Sequence, residues 1–140
     1  MKRILVPIDG SKYSDLAMKK AKEFADLYGS TVVLLNVNDF HQHLFNYNTG
    51  VEENFVELFE QMSSNILESG KEKLSSLGDR VETVKLEGSI ANKIIEYANT
   101  NDFDLVIIGS HGKGAIQEFL MGGVAHKIIL HVNKPVLIAR

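Results

Sequence analysis

The run Thr31-Val32-Val33-Leu34-Leu35-Asn36-Val37 constrains this chain more than any other segment. It is rich in β-branched residues and nearly all apolar, so it reads as a strand. Its apolarity is continuous instead of alternating, so both faces of that strand must be covered, which is the condition of a parallel sheet. Parallel strands cannot be joined by tight hairpins and need long crossovers, usually helices. The rest of the chain has to supply them.

It does. Ile4-Leu5-Val6-Pro7-Ile8 reads as a short buried strand ending at Asp9-Gly10. From Ser11 the period changes, and Leu16, Ala17, Ala21, Phe24, Ala25 and Tyr28 fall on one helical face closed by Gly29. Residues 38–50 show no period and read as a long loop. A longer helix follows, with Phe55, Phe59, Met62 and Ile66 as one stripe that Leu67, Leu74 and Leu77 continue. Val81 to Leu86 alternates as a third strand, and Ser89 is placed as the N-cap of a helix that turns Ile90, Ala91, Ile94, Ile95 and Ala98 inward. Phe103 to Ile108 is a fourth strand, Val124 to Val132 a last helix, and residues 135–139 a fifth strand. This alternation predicts an α/β fold: an open, doubly wound, Rossmann-like, five-stranded parallel sheet with helices on both faces, formed as a single domain over residues 1–140.

Composition narrows the function classes. With 44% hydrophobic and 24% charged residues the chain reads as globular, and no run approaches the length of a membrane-spanning helix. The apolar run after Met1-Lys2-Arg3 meets Pro7 and Asp9 too soon for a signal segment, so a cytoplasmic location without a membrane partner is expected. Net charge is −3 with no basic stripe, which argues against nucleic acid as a partner. The absence of cysteine excludes disulfides and thiolate metal sites.

One segment points at a ligand. Gly109-Ser110-His111-Gly112 is followed after nine residues by Gly122-Gly123, between the fourth strand and the last helix. Glycines let backbone approach a ligand without a Cβ in the way. The helix that follows offers unsatisfied N–H groups and a positive dipole end, which suit phosphate. The same glycines also serve as ordinary turn residues, and the spacing alone leaves both readings open. Asp9 has two uses as well: capping the helix after it, or holding a metal ion or ribose hydroxyl.

The spacing resembles the ATP-binding pattern of the universal stress protein family, G-x-x-G, nine residues, then glycine followed by serine or threonine. The likeness extends along the chain through Ile4 to Ser11, Leu34 to Val37, Gly88 to Ala91 and Pro135 to Ile138. It implies a fold of the adenine nucleotide alpha hydrolase-like type, a homodimer through the strand at 135–139, and bound ATP with Mg2+ or Mn2+. By this resemblance adenine and ribose lie near Pro7, Asp9 and Val37, with Ile8, Gly10 and Ser11 in the same turn. The phosphates lie against Gly109, Gly112, Gly122, Gly123 and Val124, with Ser110, His111 and Lys113 in the same loop, and Asp9 holds the metal. Gly123 departs from the pattern, since a hydroxyl residue is usual there. Losing one hydrogen bond to a charged group lowers affinity roughly ten- to a hundredfold.

No catalytic set accompanies this loop. There is no G-x-x-x-x-G-K-[ST] for a P-loop and no G-x-G-x-x-G after the first strand. Gly109 to Gly112 is not a G-x-S-x-G nucleophile elbow. His41 and His43 read as a solvated pair rather than a zinc site, and His126 and His131 as exposed helix residues. The expected function is therefore an ATP-binding, non-enzymatic regulatory module of the stress response, with an unknown protein partner. The alternatives are a protein-interaction module of the same fold with a degenerate nucleotide site, and a slow ATPase using Asp9 and a metal ion.

Overall fold

A computed structural model describes residues 1–40, 52–113 and 121–140. The strands are β1 (Arg3–Pro7), β2 (Thr31–Asn38), β3 (Val81–Glu87), β4 (Leu105–Gly109) and β5 (Val136–Ala139). The helices are α1 (Lys12–Tyr28), α2 (Glu52–Lys73), α3 (Ile90–Thr100) and α4 (Gly123–His131), with a 3₁₀ segment at Ser75–Arg80 that breaks at Gly78. All strand pairings are parallel, and the sheet order is β3-β2-β1-β4-β5. The α/β fold class expected from the alternation is the one found.

Successive residues of each central strand enter different cores, as a strand with both faces covered requires. Ile4, Val6, Val32, Leu34, Leu105 and Ile107 lie in one core with Ala17, Ala21 and Ala25 of α1 and Leu67 of α2. Leu5, Val33, Leu35, Val106 and Ile108 lie in the other with Ile94 and Ala98 of α3 and Ile128 of α4. The outer strand β3 keeps Glu82, Thr83, Lys85 and Glu87 exposed, which is why its sequence alternates where β2 does not. Asp104 fastens the amino ends of β1 and β4 by accepting the Lys2 N–H at 2.6 Å and the Arg3 N–H at 3.0 Å. These two N–H bonds, the Arg3 one foremost, hold its carboxyl below the usual range.

Several local expectations are corrected. In α1 the buried residues are Ser14, Ala17, Met18, Ala21 and Ala25, whereas Leu16 and Tyr28 are exposed. Small residues face the sheet because α1 lies close to β4, where Gly109 meets Tyr13. In α2, Phe55 and Met62 are largely exposed and the inward line runs through Ser63, Leu67 and Gly70. A Cβ at Gly70 would stand 2.9 Å from Ile8 Cδ1 and 3.0 Å from Leu34 Cδ1, so the glycine lets α2 approach the sheet. Ser89 is the N-cap of α3 but makes no side-chain capping bond. Strand β2 continues to Asn38, and Phe40 is buried with its ring 4.5 Å from that of Phe59. The remainder of the expected loop, His41 and His43 included, lies outside the described residues. Among the described residues no helix is long and apolar enough to cross a membrane.

Candidate functional site

The strand order reverses between β1 and β4, and in open α/β sheets the crevice at the carboxyl ends of the strands on either side of such a reversal is where ligands bind. A cavity of about 380 Å3 lies there. Its walls come from the ends of β1, β2 and β4, the middle of α2, the N-terminal half of α3, and the first turn of α4. Phe59, Met62, Ile66, Ile90 and Ile94 make much of it apolar, a surface suited to a flat ring.

Asp9 organises the polar part of the wall. The chain reverses after β1 through Gly10, whose φ of 84° lies in the left-handed region. Asp9 Oδ1 accepts the Ser11 N–H at 2.9 Å and the Ser14 hydroxyl at 2.7 Å. Oδ2 accepts the Lys113 N–H at 2.8 Å. Burial is the largest influence on the Asp9 carboxyl and raises its pKa, but the hydrogen bonds from Ser11, Ser14 and Lys113 together outweigh it and hold the group below its ordinary value. The cap of α1 is Ser11, whose hydroxyl accepts the Ser14 N–H, so Asp9 ties loops together and does not cap the helix.

The glycine loop has its own geometry. A Cβ at Gly109 would lie 2.7 Å from Tyr13 Cβ and 2.8 Å from the Tyr13 carbonyl carbon, so this glycine is required by the α1 contact. At Gly112 a Cβ would stand 3.1 Å from Asp9 Oδ2, and at Gly122 3.2 Å from the Ser110 carbonyl oxygen. Gly122 donates its N–H to that oxygen at 2.7 Å and is the N-cap of α4, and Gly123 is the first helical residue. The N–H groups of Gly123, Val124 and Ala125 therefore have no acceptor within the helix. His111 is buried, with Nδ1 2.9 Å from Ser110 Oγ and its ring 5.0 Å from that of Tyr13.

Of the expected residues, Pro7, Ile8, Asp9, Val37, Gly109 and His111 line the cavity, as do Gly112, Lys113, Gly122, Gly123 and Val124. Gly10, Ser11 and Ser110 do not. They shape the turn, cap α1 and hold His111, respectively. Sequence reasoning missed Asn36, Asn38, Ser63 and the α2 residues Phe59, Met62 and Ile66 as cavity wall. The only signal was a polar Asn36 inside the most apolar strand. A shallower cleft, lined also by Ser89, Ala91 and Lys127, adjoins the cavity and shares Asp39, Ile90, Gly123 and Val124 with it. Among the described residues no group of three or more histidine or acidic side chains is placed to hold a metal ion.

Comparison with known proteins agrees with this architecture. The model of the universal stress protein family matches residues 1–140. Universal stress protein MJ0577 of Methanocaldococcus jannaschii is 32% identical over 153 aligned residues, covering 99% of this chain and 94% of the relative. Its solved structure superposes with a TM-score of 0.86 at 31% identity, covering 99% of this chain and 94% of that one. YxiE of Bacillus subtilis is 30% identical, over 99% of this chain and 98% of its own. At 22% identity, a universal stress protein from Archaeoglobus fulgidus in complex with dAMP shares the fold, with a TM-score of 0.70 and coverage of 100% and 98%. A family match along the full 140 residues, with a relative 32% identical over nearly the whole of both chains, establishes that this chain belongs to the universal stress protein family.

Proposed function

We propose that this chain binds an adenine nucleotide, ATP with Mg2+ in its complete form, and acts as a cytoplasmic homodimeric regulatory module of the stress response. The observation that carries the reading is a cavity whose lining combines an apolar wall with the first turn of α4, which has no side-chain cap. An adenine ring suits the first, and phosphate suits the second. The A. fulgidus neighbour is solved with dAMP and an Arabidopsis thaliana neighbour with AMP, which supports the same ligand class here.

The residues present fit a magnesium ion as a companion of phosphates. Such an ion is commonly held by one or two carboxylates with phosphates and waters. Asp9 lines the cavity, and the Lys113 N–H is the one described partner of its Oδ2. Asp9 would hold the ion, which would neutralise phosphate charge. Lys113 stands beside the loop as a second positive charge. In this reading occupancy, not turnover, is the mechanism: a nucleotide favours one arrangement of the rim, and a partner reads that surface. The homodimer reading is supported by β5, an edge strand whose Val136, Leu137 and Ile138 are only partly covered.

Calorimetric titration with ATP and Mg2+, together with analysis of nucleotide released from the heated protein, tests the reading. Micromolar binding or co-purified nucleotide supports it. No heat at millimolar ATP and an empty extract would move the assignment to a protein-interaction module. Sedimentation of the nucleotide-free protein tests the dimer separately.

A further inference from the structure

Two side chains in the cavity wall carry hydrogen-bonding capacity that no described residue uses. Asn36, near the end of β2, is 6% exposed, and Ser63 of α2 is 3% exposed. Both line the cavity. The Ile8 carbonyl can only accept, so the Asn36 amide nitrogen must face it, at 2.8 Å. Asn36 Oδ1 is then the acceptor for the Ser63 hydroxyl at 2.5 Å. The amide nitrogen has two hydrogens, and Ile8 takes one. Ser63 gives its one hydrogen to Asn36 and keeps its lone pairs. Among the described residues no partner takes the second amide hydrogen or those lone pairs.

We propose that Asn36 and Ser63 form the specificity-determining pair for the base, with the spare Asn36 N–H donating to a ring nitrogen and Ser63 Oγ accepting from the neighbouring exocyclic amino group. The inference rests on the adenine nucleotide reading above and names what selects within it. The wall around the pair, Phe59, Met62 and Ile66, is apolar, so a donor and an acceptor there are costly to leave unmatched and are strengthened when matched. An adenine edge places a ring nitrogen beside an amino group and matches both. A ring edge with a carbonyl at the amino position would set one oxygen against the Ser63 lone pairs. That mismatch supplies discrimination by repulsion as well as by lost attraction.

The test compares AMP with purine riboside 5′-monophosphate, which lacks only the 6-amino group. The native protein should bind AMP roughly tenfold more tightly, the worth of one buried hydrogen bond. Ser63→Ala should bring the ratio close to one, with folding followed by circular dichroism and thermal melting. Ser63→Cys, close in shape and a weak acceptor, carries the same expectation and serves if the alanine variant does not fold. A ratio near one in the native protein overturns the proposal, and so does a variant that keeps the tenfold preference. Failure of the native protein to bind either nucleotide overturns both this inference and the nucleotide reading beneath it. A role confined to holding α2 in place would lower both affinities and leave their ratio intact.

Discussion

Asp9 and Lys113, 104 positions apart in the chain, are joined by a 2.8 Å hydrogen bond from the Lys113 N–H to Asp9 Oδ2. The other oxygen of the same carboxylate holds the turn before α1 through Ser11 and Ser14. One side chain thus clamps the β1–α1 turn to the glycine loop across the point where the sheet reverses. The bond also accounts for Gly112, because a Cβ there would crowd Oδ2 at 3.1 Å.

Replacing Asp9 by asparagine removes an accepting oxygen and the charge, and should lower the melting temperature at neutral pH. Folding holds the Asp9 pKa below its ordinary 3.8, so the folded state favours the ionised form. That stabilisation is fully present above 3.8 and is lost as pH falls through the lower folded value. Melting curves of both proteins from neutral pH to about pH 2 should therefore converge at the acid end. A constant gap would show that Asp9 acts without its charge.

Gly109→Ala should destabilise the fold by about 1–3 kcal/mol, the usual cost of overfilling a tight contact. The added methyl meets Tyr13 backbone, which cannot rotate away as a side chain would. Urea denaturation should show a lower midpoint with an unchanged slope, since the exposed surface on unfolding is the same.

Gly123→Ser behaves oppositely. Among the described residues, no atom beyond the chain neighbours and the backbone of α4 lies within 4 Å of a Cβ built at Gly123, and the position is the first residue of α4. Stability should hold to within about 0.5 kcal/mol, as for an unconstrained surface change. ATP should bind roughly ten- to a hundredfold more tightly if the added hydroxyl reaches phosphate. An unchanged affinity measured by calorimetry would favour the protein-interaction reading of the site.

Leu34→Ala should cost about 2–5 kcal/mol, because Leu34 is fully buried between β1 and β3 and faces α2 across Gly70. The same denaturation experiment measures it. A loss below about 1 kcal/mol would mean that α2 collapses into the space.

Legibility differed by element for physical reasons. Strand β2 was plain because burial on both faces forces apolar residues along its length, with Asn36 the one polar residue between Val32 and Val37. Helix α1 was placed correctly but turned slightly wrongly, since large apolar residues marked a stripe while the buried face is mostly alanine and serine, with Met18 the one large side chain. Most expected site residues reached the cavity because they sit on strand ends, which topology brings to one rim. Ser63 was invisible as a site residue. A serine in a helix signals nothing until the helix is laid across Asn36.

The sequence by itself determined the strand–helix alternation, the parallel sheet, the glycine spacing and the family, because each is written in local periodicity or in residue types at short separation. Tertiary structure alone decided that Asp9 clamps Lys113, that Gly109 answers to Tyr13, and that α2 closes the cavity with Ser63 against Asn36. Those relations join residues distant along the chain, and they depend on strand order and helix approach, which no local pattern encodes.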